Sequence, residues 1–348
     1  MRPTALPPTT PPQPARTLNR RNALRHALAT GLAAGLPAMV WAQPTSPFDL
    51  QGHRGARGLA PENTLAAFER ALLLGVTTLE LDIGVSADGV VVVSHDPYLN
   101  PAFTRDAQGR WLTERGPLIR TLSLAELQRF DVGRAQPGSA HARAWPQQQP
   151  ADRQPVPTLA AVFELAQRLG PPEVRFNIET KIFPKRPGDT TSPEDMVARL
   201  LDTVRRAGMT QRVSIQSFDW RTLRLVQQRE PGITTVYLSV QSETNDTITD
   251  GAWTAGLKLA DHASVAHMVK AAGGKVWSPH YRDINPTILA AARGLGLQVI
   301  PWTVNDPVDL RRMLDWQVDG IITDYPDRLR TLMQARGMPL PPRYPAAK

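Results

Sequence analysis

Between Gly52 and Asp96 the chain carries groups able to bind an anion, hold a cation and move protons: Gly52-His53-Arg54-Gly55, Pro61-Glu62-Asn63-Thr64, Glu80-Leu81-Asp82 and Ser94-His95-Asp96. Glu80 and Asp82 fall in the β-branched and apolar run 77–85, which reads as a strand, so both carboxylates project from one face. Two buried carboxylates side by side repel, and they coexist only if one is protonated or a cation stands between them. With two histidines and an arginine close by, the economical reading is a divalent metal acting on a phosphodiester. A buried salt-bridge network with Arg54 or Lys181 is the bland alternative.

The other candidates fit the same chemistry. A histidine near neutral pKa moves protons, and the planar fork of Arg54 beside His53 suits phosphate oxygens. A satisfied core histidine and a simple ion pair are the structural readings of these two. His95 gains weight from His53, because two imidazoles facing each other across a phosphate can divide the acid and base roles. In Glu179-Thr180-Lys181, Glu179 supplies a third carboxylate and Lys181 a point charge for the phosphate, unless the two neutralise each other. Phe218 and Trp302 could form an apolar wall for a small alcohol, Gln216 ends a strand beside them, and His280 could reach in from another. Asn63 or Thr64 reads as a helix cap with Glu62 fixing loop groups, whereas His141 and His267 read as surface.

Eight rounds of strand and helix must position these groups. Strands are expected over 48–53, 77–85, 174–180, 212–217, 233–240, 275–278, 297–304 and 320–323. Helices are expected over 64–74, 159–169, 193–207, 220–229, 263–272, 286–293, 307–314 and 326–335, several with proline in the first turn. That order implies a closed parallel TIM (β/α)8 barrel, with an open doubly wound sheet as the alternative. No Gly-x-Gly-x-x-Gly follows the first strand, which weakens a dinucleotide-binding reading. Asp88-Gly89 leads into Val90–Ser94 as a hairpin extension that delivers His95 to the rim. Residues 97–157, rich in Pro, Gln, Arg and Gly with one helical signal at Ser123–Phe130, read as an inserted cap over the mouth. In such a barrel the site lies beyond the C-terminal strand ends, and His53, Arg54, Glu80, Asp82, Glu179, Lys181, Gln216, Trp302 and Asp324 all fall there.

Residues 1–42 hold five arginines, no acidic residue and an apolar run that ends Val40-Trp41-Ala42. This reads as an export signal, which leaves residues 43–348 as one catalytic domain with the insertion at 97–157. Asn19-Arg20-Arg21-Asn22-Ala23 is similar to a twin-arginine signal, with Asn19 and Ala23 departing from the usual pattern and ordinary secretion as the alternative. Removing residues 1–42 takes the formal net charge from +8 to +3, so the basicity is partly an address label and no nucleic-acid partner is expected. No run suits a helix of about 20 residues spanning a bilayer, so no stable membrane insertion is expected and the location is periplasmic or secreted. The chain has no cysteine, which excludes disulfide staples and a thiolate zinc site.

Taken together, His53-Arg54-Gly55, Pro61-Glu62-Asn63-Thr64, Glu80-Leu81-Asp82, His95-Asp96, Glu179-Thr180-Lys181 and Gly320-Ile321-Ile322-Thr323-Asp324-Tyr325-Pro326 resemble the glycerophosphodiester phosphodiesterase family, over about Phe48 to Leu332. The resemblance implies a barrel with an insertion after the second strand and hydrolysis of small glycerophosphodiesters to sn-glycerol 3-phosphate and an alcohol. It implies one divalent cation on Glu80, Asp82 and Glu179, acid/base catalysis by His53 and His95, and phosphate binding by Arg54 and Lys181. It also suggests attack by the substrate's own glycerol 2-hydroxyl. Export favours Ca2+, with Mg2+ the alternative. The rivals are a related phospholipase D or C acting on lysophospholipid or sphingolipid, and an exported phosphodiester-binding protein without turnover. The polar cap argues for soluble diesters, and the pair of histidines argues for turnover.

Overall fold

Alternating side chains along the strands decide what the sheet encloses. The structure is a computed structural model that describes residues 48–169 and 173–344, and the expected leader at 1–42 lies outside the described residues. Nine strands are described: β1 (Asp49–Gly52), β2 (Thr78–Val85), β3 (Val91–Val93), β4 (Arg175–Thr180), β5 (Val213–Ser217), β6 (Thr234–Ser239), β7 (Val276–Pro279), β8 (Gln298–Val299) and β9 (Gly320–Thr323). The helices are α1 (Leu65–Leu74), α2 (Leu124–Leu127), α3 (Ala140–Ala144), α4 (Leu159–Leu169), α5 (Pro193–Arg206), α6 (Trp220–Arg229), α7 (Val265–Ala271), α8 (Pro286–Gly294), α9 (Pro307–Asp315) and α10 (Pro326–Ala335). Caps set their starts: Ser192, Asn285 and Asp306 each accept a backbone N–H, and proline follows each in the first turn.

The parallel strands run in the order β8-β7-β6-β5-β4-β2-β1-β9, with β3 antiparallel against β2. Backbone bonds from Asp319 N to Val299 O, Ile322 N to Pro301 O and Val304 N to Ile322 O, each 3.0 Å, join the two ends into a barrel. The strand expected over 297–304 shrinks to two residues, because Pro301 has no N–H to continue the ladder. An isolated bridge between His280 and Trp302 carries the chain onward.

Leu79, Leu81 and Ile83 of β2, Phe176 and Ile178 of β4 and Ile215 of β5 belong to the large core with the helices. Their alternates Glu80, Asp82, Asn177, Glu179 and Gln216 are buried in the barrel. Val236, Val276, Ile300 and Ile322 form a separate apolar cluster, so the barrel interior is part apolar and part polar. The polar part is satisfied by a relay: Gln51 donates to Asp49, Asn177 donates to Gln51 and Gln216, and Gln216 donates to Glu80.

The hairpin of β2 and β3 forms as expected, and Leu99, Ile119, Leu127, Val132 and Val156 of the insertion beyond it pack with Val92 of β3 into a separate small core. Besides α2 the insertion contains α3, which the sequence reading did not anticipate. A five-residue helix capped by Ser139 is too short to show a period.

Candidate active site

The β1–α1 loop builds one wall. It turns through left-handed backbone at Arg54 (φ 50°), Gly55 (φ 86°) and Asn63 (φ 56°), which folds Arg54 back so that its N–H donates to Glu80 Oε2 at 2.8 Å. A Cβ on Gly55 would meet the backbone of Ala67 on α1, so only glycine lets this turn pack there. Thr64 caps α1 by accepting from Ala67 N, Asn63 donates to Asp82 Oδ2 at 2.9 Å, and Glu62 accepts from Arg54 Nη1 at 2.7 Å.

Parallel register supplies the acidic cluster. Asp82 of β2 pairs with Glu179 of β4, and one oxygen each from Glu80, Asp82 and Glu179 lies within 4.8 Å of the others. Burial, and then the nearby Asp82, push the Glu80 carboxyl well above the usual carboxylate range. Burial pushes Glu179 up to about 7, against the opposing pull of Lys181. Asp82 is buried too, yet Arg54, His95 and Lys181 hold it below its usual range. Lys181 Nζ donates to Glu179 Oε1 at 2.7 Å and lies 3.6 Å from Asp82 Oδ1. Asp82 Oδ1 is nevertheless buried without a hydrogen-bond partner. An orphaned carboxylate oxygen among three converging carboxylates, with no sulfur or imidazole in the set, fits a hard, oxygen-preferring divalent cation.

His53, 9% exposed, immediately follows β1. Its Nδ1 lies 2.6 Å from Asp324 Oδ1 and its Nε2 lies 3.9 Å from Glu80 Oε2. With Nδ1–H committed to the carboxylate, Nε2 is the free proton-transfer atom. Burial, reinforced by the charges of Arg57 and Arg54, lowers this imidazole to about 4 although Asp324 opposes the shift. His95 is less enclosed and has Nδ1 2.9 Å from Asp96 Oδ1, while Asp96 is held by Asn100. Burial lowers His95 as well, followed by Arg54 and Lys181.

Asp324 and Arg57 are the groups the sequence reading missed. Asp324 was placed at the right end of the barrel and given no role; 271 residues separate it from His53, and only the pairing of β1 with β9 brings them together. Arg57 Nε and Nη2 clamp Asp324 at 2.8 and 3.2 Å, and Asn305 Nδ2 donates to it at 2.6 Å. His141, read as surface, comes from the insertion to within 3.9 Å of Glu62 Oε2.

A cavity of about 140 Å³ is lined by His53, Arg54, Glu80, His95, Glu179 and Lys181 together with Arg57, Gln216, Phe218 and Trp302. Phe218 and Trp302 meet edge to face, with centroids 5.3 Å apart. Gln216 touches the cavity while its Nε2 is committed to Glu80 Oε1 at 2.7 Å, so its work is to orient that carboxylate. His280 meets Trp302 edge to face, with centroids 5.3 Å apart, and is not among the cavity-lining residues.

A family model described as the glycerophosphoryl diester phosphodiesterase family matches residues 53–328. The chain is 30% identical to a glycerophosphodiester phosphodiesterase of Caldanaerobacter subterraneus subsp. tengcongensis, over 82% of this chain and 97% of that protein. It is 30% identical to a glycerophosphodiester phosphodiesterase of Bacillus subtilis, over 79% and 83% of the two chains. Among solved structures, a putative glycerophosphoryl diester phosphodiesterase of Silicibacter pomeroyi superposes with a TM-score of 0.76 at 37% identity, covering 84% of this chain and 95% of that one. An Oleispira antarctica phosphodiesterase solved with the product sn-glycerol-3-phosphate shares the fold, with a TM-score of 0.60 at 21% identity over 82% and 96% of the two chains.

Proposed function

The chain belongs to the glycerophosphoryl diester phosphodiesterase family, and from that premise we propose how its residues divide the work of the reaction. It is a phosphodiesterase that hydrolyses small glycerophosphodiesters to sn-glycerol 3-phosphate and an alcohol. The observation that carries the residue-level reading is the orphaned Asp82 Oδ1, in an acidic cluster whose Glu80 and Glu179 line the same cavity as His53 and His95.

Arg54 and Lys181 take the phosphate oxygens, one as a fork and the other as a point charge. Glu80, Asp82 and Glu179 would hold a divalent cation, which when bound would neutralise developing charge on the phosphate and lower the pKa of a nearby hydroxyl. Calcium is the preferred ion and magnesium the alternative. The nucleophile is the substrate's glycerol 2-hydroxyl, already tethered beside the phosphorus, so no separate capture is needed. One histidine takes its proton as the new O–P bond forms, and the other gives a proton to the departing alkoxide as the old P–O bond breaks. Water then opens the cyclic phosphate with the proton transfers reversed, which returns both imidazoles to their starting states. Phe218 and Trp302 wall the alcohol side. The twin-arginine-like leader expected over 1–42 supports an exported location, and no helix among the described residues is long and apolar enough to cross a membrane.

The test is product analysis. Glycerophosphocholine, glycerophosphoethanolamine and glycerophosphoinositol should each be offered and glycerol 3-phosphate quantified. His53→Ala should lower turnover by about 10²- to 10⁴-fold while ligand binding survives. A wild-type protein that binds these diesters and never releases glycerol 3-phosphate would contradict the reading.

A further inference from the structure

Residues 139–149 of the insertion meet the catalytic loop at Arg57 and Leu59. Ser139 caps α3, and Trp145 stands at its C-terminal end, partly exposed. The indole ring of Trp145 lies under the guanidinium of Arg57, with Cζ 4.2 Å from the ring centroid. That guanidinium makes the two-pronged contact to Asp324, and Asp324 in turn takes Nδ1 of His53. Trp145, Arg57, Asp324 and His53 therefore form one line from the insertion to the imidazole.

Main-chain contacts pin the same junction. Gln148 Nε2 donates to Arg57 O at 2.8 Å, and Gln149 N donates to Leu59 O at 2.9 Å. Tyr325, next to Asp324 in sequence, packs near Trp145 with ring centroids 6.3 Å apart. Arg57 also has a competing partner, since its Nη1 lies 3.8 Å from Glu62 Oε2. The face of Trp145 adds a cation–π contact that helps hold the guanidinium where its fork engages Asp324 rather than Glu62.

We propose that Trp145 is a positioning residue: by packing its ring face against Arg57 it keeps the fork on Asp324 and so fixes the ring of His53, which makes the insertion a brace for catalysis. The proposal rests on His53 acting in proton transfer, as read above. A ring displaced by a fraction of an ångström loses alignment with the reacting oxygen, and misplacement of that order lowers rate far more than binding.

Two readouts on the full chain test it. In Trp145→Ala, kcat for glycerol 3-phosphate release should fall on the order of ten- to a hundred-fold with KM within about twofold. The His53 Nδ1–H resonance of histidine-labelled protein should also shift or broaden, with the far-ultraviolet circular dichroism unchanged. Trp145→Phe, which keeps an aromatic face, should recover most of both. In an Arg57→Lys background, where the two-pronged contact is already gone, adding Trp145→Ala should cost much less than it does in the wild type. Unchanged kcat, an unchanged resonance, or equal losses in the two backgrounds would each overturn the proposal. If the wild type itself releases no glycerol 3-phosphate, the functional reading fails, and the resonance still shows whether Trp145 holds His53.

Discussion

His53 faces water through one edge of its ring, and the other edge is spent on Asp324. An isosteric amide at position 324 keeps the shape, removes the charge and allows the opposite tautomer. Asp324→Asn should therefore lower kcat on the order of 10²- to 10⁴-fold with little change in KM. Full kcat in that variant would show that the dyad is structural. The imidazole of His53 sets a pH signature in stability. Its folded pKa is about 4 against an ordinary 6.5, so between those values the unfolded chain binds the proton that the folded one refuses. Stability from this group is therefore intact above pH 6.5 and is lost as pH falls towards 4. Denaturant midpoints of wild type and His53→Gln, compared across that window, should converge as the pH is lowered. Parallel pH curves for the two would contradict the assignment.

Among the elements, the β1–α1 loop supplies His53, Arg54 and Arg57 to the cavity and is tightly constrained. A Cβ on Gly58 would collide with the ring of Tyr325, and the Gly58 N–H donates to Asp324 O at 3.0 Å. Gly58→Ala should destabilise the protein by about 1–3 kcal/mol as the ring or loop gives way, and should lower turnover through Asp324. A melting curve and rate like those of the wild type would show that the contact is slack. The strands were legible because Leu79, Leu81 and Ile83 alternate with Glu80 and Asp82, and a period of two identifies a strand and its polar face at once. The strand expected over 297–304 was overdrawn, since an apolar run says nothing of the missing N–H at Pro301. Helix α3 left no periodic trace.

At the scale of the whole molecule, barrel closure makes the site. The acidic cluster could be anticipated, because Glu80, Asp82 and Glu179 sit at like positions on two strands that become neighbours. His53 with Asp324, Arg57 under Trp145 and His141 near Glu62 could not, because each depends on register between segments far apart in sequence or on how the insertion folds back. The polar half of the barrel interior is a further whole-chain property: its relay from Asp49 to Glu80 crosses four strands and ends on a carboxylate assigned to the cation. Everything then turns on whether the three carboxylates act by holding an ion. The direct measurement is glycerol 3-phosphate release from glycerophosphocholine by chelator-stripped protein, before and after calcium or magnesium is restored. The account predicts that turnover disappears in chelator and returns with the added ion, together with about 2.7 kcal/mol of stabilisation at a hundredfold excess over Kd. Undiminished turnover in chelator would contradict it.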